Sequence, residues 1–434
     1  MGEQQHVAFI GYPGFGHLKP TLQIVEELIR RGHRVSYVVS DHFADAVAAT
    51  GATPVLYHSR IPDEAGVESE IDDDRMALGL INEAWHPMSV AVPYFDNDPP
   101  HLVLHDSIAQ ETAKLLSMRF DIPRVRMFTT FATSERAVLE ANPGLDLSHF
   151  TSANLFGPKF LELYAHIDSK LSDLGAPNIL TVSFQSPDAA LNLVFLPKTF
   201  QPFADQFDDT YHWVGPSLWE RDAEQSWMQS RPDAPLVVVS LGTSPSNHRL
   251  EFLRTCVQAS AGQPWETVIC LGNTHDPAEL GVLPANVSVH QWLSPTSVLP
   301  RAAAFVTHAG MGSLMESFAC GVPVLLAPDM KEQWVNAFFA VQSGLGYALT
   351  EALTEAPPEG AGHSGSSALS GMPSLLMRDQ VSVDRLAELI DELIVDRQVH
   401  DSAALLAQEI EGCGGPSSSA DLIEACLLKG ARLP

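Results

Sequence analysis

The chain has 434 residues, and 53 acidic residues against 25 Lys and Arg give it a formal net charge of −28 at pH 7. Because so acidic a surface repels phosphate backbones and anionic lipid headgroups, it argues against nucleic-acid binding and stable membrane insertion. The apolar fraction of 45% is typical of a globular protein and argues against disorder, and the length predicts two or three domains.

The sequence also restricts the compartment. We expect no export signal, and the sequence has no run of about 20 apolar residues that would span a membrane. Its five cysteines show no CxxC or paired Cys/His spacing, so we expect neither a disulfide framework nor a metal site. We expect a cytoplasmic protein that is a monomer or a homodimer.

The chain begins with a strand–helix–strand pattern. The apolar run His6–Ile10 predicts a strand, and an amphipathic pattern predicts a helix over about Pro20–Arg31. Gly32 suits the left-handed residue that ends such a helix, and Val35–Val39 predicts the next strand. Short connections of this kind indicate parallel strands.

Similar patterns continue along the chain. Leu102–Leu104 and Leu193–Phe195 predict further strands, and the Trp- and Pro-rich stretch 215–235 predicts a linker because it lacks periodicity. A second series of α/β patterns follows, and its predicted strands are Leu236–Val239, Thr267–Leu271, Val287–Val289, Ala303–Val306 and Val322–Leu326. The final segment, Ser417–Leu428, predicts an amphipathic helix.

We therefore expect an α/β protein with two facing, doubly wound, Rossmann-like domains. Such sheets bind ligands beyond the carboxyl ends of their strands, so an interdomain cleft is the expected site. The predicted boundaries are residues 1–214 for the first domain, 215–235 for the linker, 236–416 for the second domain and 417–434 for a C-terminal helix. Residues 353–374, dense in Gly, Ser, Pro and Ala, predict a surface loop.

The segment Val306–Pro328 combines a strand, a glycine-rich turn and a helix. His308 and Ser313 offer hydrogen-bond donors, and the two glycines between them let a phosphate approach the N-terminus of the helix. Glu316 lies one helical turn later, where its carboxylate is placed to accept hydrogen bonds from ribose hydroxyls. The pattern Ser313-x-x-Glu316 also matches a capping box, which needs no ligand.

A second candidate site follows the first strand. His17 stands near the positive end of a helix, which disfavours imidazolium, so we expect a neutral ring able to accept a proton at pH 7. Asp106, after a strand of the same half, can orient that ring. Alternatively, His17 bonds a backbone carbonyl and Asp106 caps the next helix. The later turn Ser240-Leu-Gly242-Thr243 suits either a phosphate contact or an ordinary turn.

These segments resemble the family 1 (UGT-like) glycosyltransferases, and most closely the bacterial macrolide glycosyltransferases. The resemblance covers nearly the whole chain, through GFGHLKPTL at 14–22, LVLHD at 102–106, VVSLGT at 238–243 and the segment 290–346. It implies a GT-B fold whose last helix packs back on the first domain. It also implies inverting, metal-independent sugar transfer without a cofactor. The co-substrate is a UDP- or TDP-sugar, and the acceptor is a hydroxyl of a small apolar natural product such as a macrolide or other polyketide, in antibiotic biosynthesis or resistance.

The resemblance assigns roles to single residues. His17 matches the general base, Asp106 the partner that orients it, and Trp292 the ring that stacks on the nucleobase. The predicted donor-binding residues are Gly16, Gly242, Thr243, Trp292, His308, Gly310, Gly312, Ser313, Glu316, Glu332 and Gln333. The candidates for the acceptor pocket, which core packing would explain equally, are Trp85, Phe128 and Phe131.

Two departures from the family pattern concern the nucleobase and the sugar. The Gln usual after Pro295 is missing, and Glu332 stands where Asp is usual. The nucleobase, the sugar and the acceptor therefore stay open. A nucleotide-sugar-binding protein, or a hydrolase or epimerase of nucleotide sugars, would fit the same scaffold. His17 with Asp106 favours the transferase, since a binding protein needs no base.

Overall fold

The computed structural model describes residues 4–59, 73–133, 158–178, 182, 188–218, 227–242, 250–272, 275–349 and 381–429. These residues form two separate β-sheets, in which every strand pair is parallel. Thr243 and the predicted loop 353–374 lie outside the described residues.

The first sheet has seven strands in the order β3-β2-β1-β4-β5-β6-β7. These strands are β1 (His6–Ile10), β2 (Arg34–Ser40), β3 (Thr53–Tyr57), β4 (Leu102–Asp106), β5 (Arg124–Phe128), β6 (Leu191–Val194) and β7 (Tyr211–Trp213). The helices of this half are α1 (Phe15–Arg30), α2 (Ala44–Ala48), α3 (Asp73–Asn97), α4 (Gln110–Phe120) and α5 (Pro158–Asp173). The two central strands, β1 and β4, are buried at every residue, as in sheets covered by helices on both faces.

The second sheet has six strands in the order β10-β9-β8-β11-β12-β13. These strands are β8 (Leu236–Ser240), β9 (Glu266–Cys270), β10 (Val287–His290), β11 (Ala302–Thr307), β12 (Val324–Leu326) and β13 (Gly346–Ala348). The helices that follow β8 in the chain are α6 (Leu250–Ser260), α7 (Pro295–Val298), α8 (Met311–Ala319), α9 (Lys331–Gln342), α10 (Val383–Val395), α11 (Arg397–Gly412) and α12 (Gly415–Lys429). Residues 214–218 and 227–235, between the two sheets, form neither helix nor strand.

The predicted α/β fold is confirmed, with shifts at the ends of elements. Gly32 follows α1 with a φ of +96°, as expected for a residue that ends a helix. However, α1 begins at Phe15 instead of Pro20, and Pro20 lies inside it. His17 therefore belongs to the first helical turn and not to the loop before it. The short strands β3, β5, β7 and β13 were not predicted.

The last helix packs against the first half of the chain. Ile423 and Ala420 of α12 are fully buried, in the same apolar cluster as residues of α1 and β1. The Arg31 guanidinium donates to Asp421 and Glu424 at 2.6 and 2.8 Å. The chain thus returns to its first domain after forming the second. Among the described helices, none is both long and apolar enough to cross a bilayer.

Candidate active site

The two sheets face a common cleft with a volume of about 510 Å³. The loops that follow β1, β5, β8 and β11 line it, and each of these loops starts at the carboxyl end of its strand. This is where doubly wound sheets place their ligands. The predicted site residues that line the cleft are Gly16, His17, Gly242, Trp292, His308, Gly310, Gly312, Ser313, Glu316, Glu332 and Gln333.

His17, which lines the cleft, forms a hydrogen-bonded pair with the buried Asp106. Nδ1 of His17 lies 2.8 Å from Oδ2 of Asp106, whose side chain is 1% exposed at the end of β4. The other carboxylate oxygen accepts from the backbone N–H of Ile108 at 2.8 Å. The helix that follows has Ala109 as its N-cap and no side-chain cap among the described residues. The alternative in which Asp106 caps that helix is therefore wrong.

A third side chain holds the same ring nitrogen. Oγ1 of Thr129, in the loop after β5, lies 2.9 Å from Nδ1 of His17. The ring of Tyr12 packs against the imidazole with centroids 4.9 Å apart. Because Nδ1 is engaged from within the first domain, Nε2 is the nitrogen left to meet a ligand.

The pKa of His17 is set by opposing effects. Burial lowers it, but the charge and hydrogen bond of Asp106, with the charge of Glu332, outweigh burial and raise the pKa above its ordinary value. The expected influence of the helix terminus, which favours a neutral ring, is therefore not the dominant one. A carboxylate in direct contact acts more strongly than the partial charge of a helix end. The result is a more basic imidazole.

The N-terminus of α8 opens into the cleft. Its N-cap is Gly310, and no side chain among the described residues caps it. Ser313 is the third residue of the helix, so the capping-box interpretation is wrong. The first-turn N–H groups and the Ser313 hydroxyl are thus placed to meet an anion.

The glycines of the two adjoining loops make room for different groups. A Cβ on Gly242 or on Gly310 would lie 2.7 or 2.4 Å from the imidazole of His308, so both glycines accommodate that buried ring. By contrast, a Cβ on Gly312 would meet no described atom within 4 Å. Of these three glycines, only Gly312 has open space where a Cβ would stand, and Gly312 lines the cleft.

The remaining donor candidates differ in exposure. Trp292 is 40% exposed, as a stacking surface requires. Gln333 is buried, and its Oε1 accepts from the backbone N–H groups of Asp329 and Met330 at 2.9 and 3.1 Å, so a ligand can receive only its amide N–H. Glu332 accepts from Asn336 at 2.5 Å, and its side chain is exposed in the cleft.

The three acceptor candidates do not line the cleft. Phe128 is 2% exposed and stacks on Tyr211, so it belongs to the core. Phe131 packs against Phe200 and Phe339, and the half-buried Trp85 packs beside the apolar cluster of its own half. Aromatic residue type alone does not distinguish a pocket from a core.

Sequence reasoning missed several cleft residues. Lys19 donates to Glu316 across the two halves, and Thr129 contacts His17. The apolar side chains of Phe15, Ile108 and Met330 are exposed in the cleft. Phe15 and Lys19 lie within two residues of His17, so their position in the sequence could have indicated that they line the site. Thr129 lies far from His17 in the sequence, and no motif around it indicates a site. Among the described residues, no group of three His, Cys, Asp or Glu is arranged to hold a metal ion.

Comparisons with known proteins agree with this geometry. A family profile described as UDP-glucoronosyl and UDP-glucosyl transferase matches residues 216–356. The NDP-glycosyltransferase YjiC of Bacillus licheniformis is 31% identical over 98% of this chain and 98% of its own. The oleandomycin glycosyltransferase of Streptomyces antibioticus is 32% identical over 97% of this chain and 90% of its own. The crystal structure of CalG4, the calicheamicin glycosyltransferase, superposes with a TM-score of 0.78 at 32% identity, over 98% of this chain and 99% of that one.

Proposed function

The chain belongs to the family of UDP-glucoronosyl and UDP-glucosyl transferases, and from that premise we propose that it is an inverting glycosyltransferase with His17 as its general base. The donor is a UDP- or TDP-sugar. The acceptor is a hydroxyl of a small apolar natural product such as a macrolide or other polyketide. The observation that carries this proposal is the His17–Asp106 pair, whose imidazole lines the same cleft as the N-terminus of α8.

The proposed step exchanges one bond for another at the anomeric carbon of the sugar. The acceptor oxygen attacks this carbon while Nε2 of His17 takes its proton, and the bond to the diphosphate oxygen breaks. Attack from the face opposite the leaving group inverts the configuration. Asp106 stabilises the imidazolium that forms and keeps the proton of Nδ1 in place.

The second half supplies groups for the leaving nucleoside diphosphate. The N–H groups at the start of α8, the Ser313 hydroxyl and the His308 ring offer donors where negative charge develops. In this proposal, Trp292 stacks on the nucleobase and Glu316 accepts from the ribose. Donors placed in advance cost little reorganisation during the reaction.

The apolar part of the cleft supports a small apolar acceptor. Phe15, Ile108 and Met330 are large apolar side chains that remain exposed while lining a concave site. Exposed apolar surface of this kind gains free energy when a hydrophobic ligand covers it. A polyketide hydroxyl brought there by its apolar skeleton would stand near His17.

The test is His17→Ala. We expect the variant to lose transfer by at least about 100-fold, the scale of general-base catalysis, and to bind UDP or TDP within a few-fold of the wild type. Mass spectrometry with a panel of macrolide and phenolic acceptors measures transfer, and calorimetry measures binding. Full turnover by the variant would overturn the proposal. Hydrolysis of the donor by the wild type, without transfer to any acceptor, would indicate the hydrolase.

A further inference from the structure

One cation lines the cleft together with two acidic side chains, Glu316 and Glu332. Lys19, in α1 of the first half, is the only Lys or Arg among the described residues that line the cleft. Its Nζ donates to Oε1 of Glu316, in α8 of the second half. The two side chains are 19% and 15% exposed, so the pair lies mostly out of bulk water and is screened less than a surface pair.

The charge balance of the cleft makes this cation important. A nucleoside diphosphate is a multiply charged anion, and it must enter a cleft that is lined by Glu316 and Glu332 and whose His17 is bonded to the buried carboxylate of Asp106. The chain as a whole has a net charge of −28. The N-terminus of α8 contributes only about half a positive charge. A full positive charge in the same cleft would therefore be the strongest attraction for the diphosphate.

Building on the proposed function, we propose that Lys19 is a donor-binding residue, supplied by the first domain, that contacts the diphosphate. In the structure Glu316 holds its ammonium group. When ribose hydroxyls donate to Glu316, this carboxylate holds Lys19 less strongly. The flexible side chain of Lys19, with three N–H donors, then turns to a phosphate oxygen. Nucleotide binding in the second half thereby recruits a side chain of the first half.

A purely structural role makes a different prediction. If Lys19 only braces Glu316 for the ribose, then removing Lys19 weakens a nucleoside and its diphosphate equally. If Lys19 contacts the diphosphate, only the diphosphate loses affinity. Uridine and UDP, or thymidine and TDP, are therefore the informative pairs of probes.

The experiment compares Lys19→Gln with wild type by calorimetry and by competition. We expect UDP and TDP to bind roughly tenfold or more weakly to the variant, as for a lost charge-assisted hydrogen bond, and uridine and thymidine to bind as before. Lys19→Arg keeps the charge and should recover most of the affinity. The affinity of the wild type for UDP should also fall more steeply with salt concentration than that of Lys19→Gln.

Two further variants serve as controls. Lys198→Gln removes a half-exposed lysine outside the cleft, with the same change in net charge, and should leave UDP binding unchanged. Glu316→Gln should weaken uridine binding, because this residue acts on the ribose, and should weaken UDP binding less, because the variant no longer holds Lys19. Unchanged UDP binding by Lys19→Gln, or equal losses for uridine and UDP, would overturn the proposal.

The outcome is separable from that of the proposed function. A protein that transfers sugar, but whose UDP affinity is indifferent to Lys19, contradicts only this inference. A protein that binds UDP through Lys19, but transfers no sugar, contradicts only the transferase proposal.

Discussion

Asp106 determines the orientation and the basicity of His17. Its two carboxylate oxygens have separate partners, the N–H of Ile108 and Nδ1 of His17, both at 2.8 Å. Because the carboxylate is buried and held by the backbone, it positions the ring instead of following it. Thr129 adds a second contact to the same nitrogen. The more basic imidazole that results is suited to accept a proton from a hydroxyl.

Asp106→Asn keeps the size of this side chain and removes its charge. The change removes the main effect that raises the pKa of His17, so this pKa falls. The base works only when neutral, and kcat/KM is therefore expected to decline on the acid side at a lower pH than in the wild type. We also expect kcat to fall by about 100-fold or more, since the imidazolium loses its counterion. The measurement is the pH profile of kcat/KM for sugar transfer, and an acid limb at the same pH as in the wild type would contradict the prediction.

The loops after β8 and β11 meet through a single ring. His308 packs between Gly242 of one loop and Gly310 of the other, at distances that leave no room for a Cβ. The backbone turns from Ala309, with a φ of +65°, directly into α8. The position of the helix N-terminus in the cleft therefore depends on this ring as well as on the strand before it.

A pair of glycine substitutions tests this arrangement. In Gly310→Ala, the new Cβ collides with the buried His308 ring, so we expect a loss of roughly 1–3 kcal/mol in stability and weaker UDP binding. Gly312→Ala meets no described atom, so its thermal midpoint should match the wild type or exceed it. Its Cβ instead narrows the space before Ser313, and UDP affinity should fall. Thermal unfolding and calorimetry give both quantities, and equal midpoints for the two variants would contradict the interpretation.

The last two helices, α11 and α12, connect the second domain to the first. Glu409 of α11 accepts from the backbone N–H of Thr199 at 3.1 Å, and α12 buries Ile423 in the core of the first half. The C-terminal segment thus bridges the two domains on the side where the chain returns. The wall of the cleft that belongs to the first domain depends on this connection, because His17 lies in α1, the helix against which α12 packs.

The helix α12 contains a matched pair of positions for a test. Ile423 is fully buried and Leu428 is 88% exposed in the same helix. Ile423→Ala should lower the free energy of unfolding by roughly 2–5 kcal/mol, through lost burial and a cavity. Leu428→Ala should change it by less than about 0.5 kcal/mol. Urea unfolding followed by fluorescence measures both, and a similar midpoint for the two variants would show that α12 does not stabilise the first half.

Local sequence signals were sufficient for most strands of the two sheets and for the two loops that face each other. Apolar periodicity and glycine placement act over a few residues, so β1 with α1, and β11 with α8, could be predicted from their own segments. The same signals failed where tertiary packing determines the end of a helix or the burial of a side chain. Pro20 suggested a helix start that lies inside α1, and Phe128 suggested a pocket although it belongs to the core.

The chain's amino-acid order alone was enough to place His17 and Asp106 at the same edge of one sheet. It could not show that Thr129 completes that pair, that Asp106 outweighs the helix end in setting the pKa of His17, or that Lys19 reaches Glu316. The last contact joins residues 297 positions apart. Such contacts depend on how the two domains pack against each other. The residues of a short segment determine its local structure but do not specify which distant residues it contacts.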